Sequence, residues 1–161
     1  MPVSEQDVQV GMMAPDFELP EASEVNVRLA EELKASPILL LFYPNDFGVI
    51  CSLVMRTFME HCPELRSHGI RVLGISRNSP YTHRAWKENL GLPFRLLSDQ
   101  DGVVTMQYGG LQEEGLLAGM CRRAVFIIDR KGVIRYAWVS HQEGVPPPFG
   151  EVFATLENAD L

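Results

Sequence analysis

Ile38-Leu39-Leu40-Leu41-Phe42-Tyr43-Pro44-Asn45-Asp46-Phe47-Gly48-Val49-Ile50-Cys51 passes from an unbroken apolar run, through a turn, into the start of a helix. A continuous run of this length reads as a central strand covered on both faces. Beyond Cys51, the residues Met55, Phe58, Met59, Cys62 and Leu65 recur at helical spacing, with Gly69 as a natural stop, so one helix is expected to carry all of them. Cys51 then lies in that helix's first turn. There the backbone N–H groups have no intrahelical partner and the helix dipole is positive, and both favour thiolate, the nucleophilic form, over thiol.

The rest of the chain extends this pattern. The first 30 residues are turn-rich, with Gly11, Ala14-Pro15-Asp16 and Pro20, and are expected to wrap the domain as short extended pieces. Arg71 to Ser76 reads as a second strand. Ser79-Pro80 is an N-cap followed by proline in the first helical turn, and Gly91 ends that helix. A short strand at Arg95 to Ser98 and a helix from about Val103 to Tyr108 follow. Ala124 to Asp129 and Val133 to Val139 are strands joined by the turn Arg130-Lys131-Gly132, and a last helix runs from about Phe149 to Asn158. This order predicts an α/β fold, a mixed central sheet with helices on both faces, built as one domain over residues 1–161. Sites in open α/β sheets lie outside the carboxyl ends of strands, which is where Pro44 to Cys51 falls.

Composition narrows the class. The chain has 161 residues, 46% of them hydrophobic and 22% charged, as in a soluble globular protein. A net charge of −7, with no cationic run longer than a pair such as Arg122-Arg123, argues against nucleic acid or an anionic membrane as a partner. The polar opening Met1 to Asp7 is no signal peptide, and Ile38 to Tyr43 is too short to span a bilayer. Three irregularly spaced cysteines fit a reducing compartment, so a cytoplasmic location is expected.

The run from Pro44 to Cys51 resembles the active-site loop of peroxiredoxins, Pro-x-x-x-Thr/Ser-x-x-Cys. Gly11 to Phe17 resembles the family's opening Gly-x-x-Ala-Pro-Asp-Phe. Ile75 to Trp86 resembles its second strand and helix, Phe94 to Asp99 its Phe-Pro-Leu-Leu-Ser-Asp, and Arg123 to Asp129 the strand that carries its arginine. The chain looks closest to the one-Cys and bacterioferritin-comigratory-type branches. The resemblance implies a thioredoxin-like fold, a homodimer, and a thiol peroxidase acting on hydrogen peroxide or alkyl hydroperoxides. Cys51 would form a sulfenic acid, reduced by an external thiol of thioredoxin, glutaredoxin or low-molecular-weight type. No metal, haem or flavin cofactor is implied.

On that reading Arg123 is the cation that holds the thiolate and donates to the peroxide, and Pro44 shields the sulfur. Backbone N–H groups around Gly48, Val49 and Ile50 complete the donor set. Strand alternation sends Arg122 to the opposite face. Besides Arg95, which takes the proline's place in Phe94 to Asp99, two positions at the site depart from the family pattern. Gly48 stands where the family has a hydroxyl, a change worth on the order of 1–3 kcal/mol, and Val54 stands where it often has a glutamate that orients the arginine. They define the alternative, a degenerate redox-sensing or binding module. A disulfide reductase of the thioredoxin kind is disfavoured, because Val54 occupies the second cysteine position of Cys-x-x-Cys.

Cys62 shares the apolar helix stripe and is expected to be core. Eleven residues of helix, roughly 16 Å, would separate it from Cys51, whereas a disulfide needs Cα atoms within about 7 Å. Cys121 lies two residues before Arg123, so in an extended segment both side chains point the same way, and a resolving role follows if Arg123 faces the site. His61, His68, His83 and His141 show no zinc-type spacing with the cysteines.

Overall fold

A computed structural model describes residues 8–161, so the opening Met1 to Asp7 lies outside the described residues. Strands β1 (Glu18–Pro20) and β2 (Asn26–Arg28) form an antiparallel pair, followed by the short helix α1 (Leu29–Leu33). Then come β3 (Ile38–Phe42), α2 (Val49–Glu60), α3 (Cys62–Ser67), β4 (Arg71–Ser76), α4 (Pro80–Leu90), β5 (Arg95–Ser98) and α5 (Val103–Gln107). The hairpin strands β6 (Ala124–Ile128) and β7 (Ile134–Val139) and the helix α6 (Phe149–Asn158) complete the order.

The main sheet runs β5-β4-β3-β6-β7, with β3 in the middle. β4 lies parallel to both β3 and β5, whereas β6 is antiparallel to β3 and to β7. All five residues of β3 are buried, because both faces of the sheet are covered. Leu39, Leu41 and Tyr43 pack into one apolar cluster with Met55 and Phe58 of α2, Trp86 of α4 and Val152 and Leu156 of α6. Ile38, Leu40 and Phe42 point the other way, against Phe17, Leu29, Tyr108 and Phe126. The two-residue period of a strand thus feeds two cores from one apolar run.

The expected signals for α4 hold. Ser79 Oγ accepts from Thr82 N at the N-terminus, and Gly91 closes the helix in the left-handed conformation, φ 67°. In the β6–β7 turn, the Asp129 carboxylate accepts from Lys131 N at 2.9 Å and Val133 N at 3.0 Å. The early segment wraps the sheet as expected: Met13 bridges Val133 and Glu21 bridges Leu97.

The single helix from Cys51 to Leu65 is not found. The helix breaks at His61, and Cys62 begins α3 with Pro63 in its first turn. Proline at 63 lacks the N–H that would bond the Met59 carbonyl, and its ring would clash with that carbonyl, so a continuous helix cannot pass through it. Among the described residues, no helix is long and apolar enough to cross a membrane.

Candidate active site

The site forms where β3 hands over to α2. Tyr43 follows the strand, Pro44 is buried behind it, and the chain turns through Asn45, Asp46 and Phe47 to Gly48, the N-cap of α2. Gly48 is extended (φ −65°, ψ 146°), so Val49, Ile50 and Cys51 occupy the first helical turn. Their N–H groups are among those a helix cannot satisfy internally. Cys51 is only 2% exposed and packs with Tyr43, Val54 and Met55.

Strand register delivers the cation. Ala124 at the start of β6 pairs with Phe42 at the end of β3. The preceding residue, Arg123, therefore falls level with the start of the loop. Its Nη2 donates to Cys51 Sγ at 3.5 Å, although the guanidinium lies in a residue only 4% exposed. Arg123 Nε is buried with no hydrogen-bond partner among the described residues. Val54, itself buried, offers no acceptor where a carboxylate would have done so. Arg122 is half-buried and reaches instead toward His141 and Glu113.

Gly48 borders the sulfur. A Cβ built on it would sit 3.4 Å from Cys51 Sγ and 3.3 Å from the Asn45 carbonyl, in a backbone conformation open to any L-residue. The place of the missing hydroxyl is thus beside the nucleophile, and the backbone there does not demand glycine.

Matches to known proteins agree with this geometry. The model of the AhpC/TSA family matches residues 10–137. The chain belongs to the AhpC/TSA family. Among curated relatives in that family, alkyl hydroperoxide reductase E of Mycobacterium tuberculosis is 36% identical over 132 residues, which cover 81% of this chain and 84% of that protein. Peroxiredoxin-2 of Mus musculus is 36% identical over 146 residues, covering 83% and 71%. The crystal structure of the peroxidoxin BcpB from M. tuberculosis superposes with a TM-score of 0.84 at 26% identity, covering 96% of this chain and 99% of that one. The fold is thioredoxin-like, and this peroxiredoxin is a thiol peroxidase that takes a peroxide as substrate and a thiol as reductant.

The other two cysteines lie elsewhere. Cys121 does not share a face with Arg123. It is fully buried in the cluster on the far side of the sheet, 3.2 Å from Thr105 Oγ1, and burial pushes its thiol up to about 12. The expected parity fails because residues 122 and 123 precede β6 and are not in a strand, while Cys121 forms an isolated bridge with Leu111. Cys62 is half-buried at the α2–α3 break, in a cavity of about 150 Å³ with Leu65, Ile70 and Phe94, and burial raises its thiol as well.

A buried polar cluster under the loop had no counterpart in the sequence reading. Asp46 Oδ2 lies 2.7 Å from His83 Nδ1, Tyr43 donates to Asp46 Oδ1 at 2.7 Å, and His83 Nε2 lies 2.9 Å from the Leu97 carbonyl. Burial, reinforced by the Asp46 carboxylate, pushes the Tyr43 phenol well above its ordinary range, so it remains a donor. The available signal was the spacing of Pro80, His83 and Trp86, which puts His83 on the buried stripe of α4.

Proposed function

We propose that Cys51 is the peroxidatic nucleophile of this thiol peroxidase, with Arg123 as its cationic partner. The observation that carries this reading is the 3.5 Å contact from Arg123 Nη2 to Cys51 Sγ, between two residues almost sealed from solvent. A guanidinium at this distance can hold the sulfur as an anion during attack and donate to the charge that develops on the peroxide oxygens. The thiolate attacks one peroxide oxygen, an S–O bond forms as the O–O bond breaks, and the leaving oxygen departs as water or alcohol after taking up a proton. Sulfur loses two electrons and becomes sulfenic acid. An external thiol then condenses with it, releasing water, and a second thiol frees Cys51 by exchange.

Arg123 Nε and the N–H groups of Val49, Ile50 and Cys51 are the donors available to the substrate oxygens, and the buried Pro44 is the shield of the sulfur that the resemblance implies. Gly48 contributes backbone only, so the cradle has one donor fewer than the Thr/Ser form. The resemblance that implies these roles also implies a homodimer, and Phe47, Val49 and Leu53 present exposed apolar side chains beside the site.

Trapping with a sulfenic-acid reagent tests the assignment. One equivalent of hydrogen peroxide should yield an adduct at Cys51 by mass spectrometry, and none in Cys51→Ser. An adduct confined to Cys62 or Cys121 would refute it.

A further inference from the structure

We propose that Asp46 and His83 form a clamp that positions the active-site turn, acting on Cys51 through the backbone of Phe47 and Gly48. The inference rests on Cys51 being the nucleophile and asks what holds its helix start in place.

The turn needs holding. Phe47 has a positive φ of 65°, which an L-residue with a large side chain adopts only against a conformational cost. Its ring is half exposed and meets only the edge of the core, 6.3 Å from Trp86 between centroids. Phe47 therefore does not anchor itself. Directly beyond it lies Gly48, whose carbonyl accepts from Ser52 N at 2.8 Å and so begins α2. Any relaxation of Phe47 would rotate Gly48 and, with it, the first-turn N–H groups around the sulfur.

Asp46 is the fixed point on the other side. Its backbone N donates to Asn78 Oδ1 at 3.0 Å, and that oxygen also accepts from Ser76 Oγ at 2.8 Å, at the end of β4. Its carboxylate is fully buried and is held by Tyr43 at the end of β3 and by His83 on α4. His83 is fully buried and is itself tied to β5 through the Leu97 carbonyl. One turn residue is thus pinned to the ends of β3 and β4 and, through one imidazole, to α4 and β5. Among the described residues, His83 is the α4 side chain that meets the Asp46 carboxylate. A buried carboxylate stays buried only while such partners remain.

Two pairs of variants separate a clamp from a space-filling histidine. In His83→Asn the amide N–H takes the place of Nδ1 and can still donate to Asp46. In His83→Gln the amide reaches the place of Nε2 and keeps only the Leu97 carbonyl. The clamp predicts that His83→Gln lowers the second-order rate of Cys51 with hydrogen peroxide by roughly 10–100-fold, as misplacement of a reacting group does, while His83→Asn stays within about threefold. A histidine that only fills space predicts the reverse order, since glutamine is the larger and keeps the tie to β5.

Equal rates in both variants, or a slower His83→Asn, would overturn the clamp. If the His83 variants fail to fold, Asp46→Asn and Asp46→Leu decide. The first can donate to His83 Nδ1 and accept from Tyr43, so it should keep the rate, whereas Asp46→Leu should lose it with Cys51 still present. Equal rates in that pair would again overturn the proposal. A wild type no faster than a free thiol would remove the reading of Cys51 itself, and the clamp with it.

Discussion

Arg123 Nη2 reaches Cys51 Sγ across 3.5 Å, between residues 72 positions apart in sequence and both almost sealed from solvent. Two independent features produce the contact. The antiparallel register of β6 on β3 sets the height of Arg123, and the turn after β3 sets that of Cys51. The guanidinium has no carboxylate beside it at Val54, so its interaction with the sulfur and its Nε, unpartnered among the described residues, are what remain to be used.

Replacing Arg123 should therefore damage chemistry more than fold. Arg123→Met, which keeps an apolar stem in the buried site, is expected to slow peroxide reduction by about 10²–10³-fold, the scale for losing a preorganised charge-stabilising donor. Arg123→Lys should recover only part of this, because an ammonium cannot present a planar fork to sulfur and substrate together. Stopped-flow kinetics checks both, and an unchanged rate in Arg123→Met would remove the arginine from the mechanism.

Position 48 offers a gain of function. Gly48→Thr places its Cβ beside Cys51 Sγ in an allowed backbone conformation, with a tight contact to the Asn45 carbonyl that a small shift relieves. A hydroxyl there should raise the peroxide rate by roughly 10-fold, as one added donor to the substrate would. Gly48→Ala supplies the same Cβ without the hydroxyl and should bring no increase. If the two variants match, the hydroxyl is not what the site lacks.

Cys121 should be inert to thiol reagents in the folded protein. With its thiol pushed up to about 12 by burial, only about one part in ten thousand is thiolate at pH 8, and the sulfur is also out of reach. Alkylation followed by peptide mapping should label Cys51 and Cys62 before Cys121 in native protein, and all three after denaturation.

The same thiol predicts an alkaline weakness. Cys121 is raised in the folded state from an ordinary value of 9.0 to about 12, so its contribution is fully present below pH 9. Between 9 and 12 the unfolded chain loses this proton and the folded one keeps it, so stability falls as pH rises. Melting temperature should decline across that window, and less steeply in Cys121→Ala. An identical slope in the variant would assign the decline to other groups, such as the raised phenols of Tyr108 and Tyr136.

A homodimer, which the family resemblance implies, can be probed on the exposed face of α2. Val49 and Leu53 lie one turn apart and are 79% and 59% exposed. Leu53→Glu should shift a dimer toward monomer in analytical ultracentrifugation. A wild type that sediments as a monomer at high concentration would exclude the dimer.

How much of this was legible in sequence depended on range. Ile38 to Tyr43 announced a central strand because every position is apolar, and Cys51 followed from the turn directly after it. Arg123 was legible through the resemblance, whose spacing to Phe126 picks it out, and not through strand parity, since it precedes β6. Pro63 carried enough information to break the helix at His61, but the apolar stripe through Cys62 and Leu65 outweighed it. Cys121 was misplaced because two residues of irregular chain before β6 cancel strand parity. Asp46 and His83 are 37 residues apart, and nothing local to either one shows that β3, β4 and α4 converge on them.

The most direct measurement is the second-order rate constant for hydrogen peroxide in wild type, Cys51→Ser, Cys62→Ser and Cys121→Ser, followed by stopped flow at neutral pH. A peroxidatic Cys51 held by Arg123 predicts a wild-type rate at least about 10³-fold above that of free cysteine, equivalent to about 4 kcal/mol of barrier. Cys51→Ser alone should abolish it. A wild type that reacts like free cysteine, or a fast rate that survives in Cys51→Ser, would contradict the account.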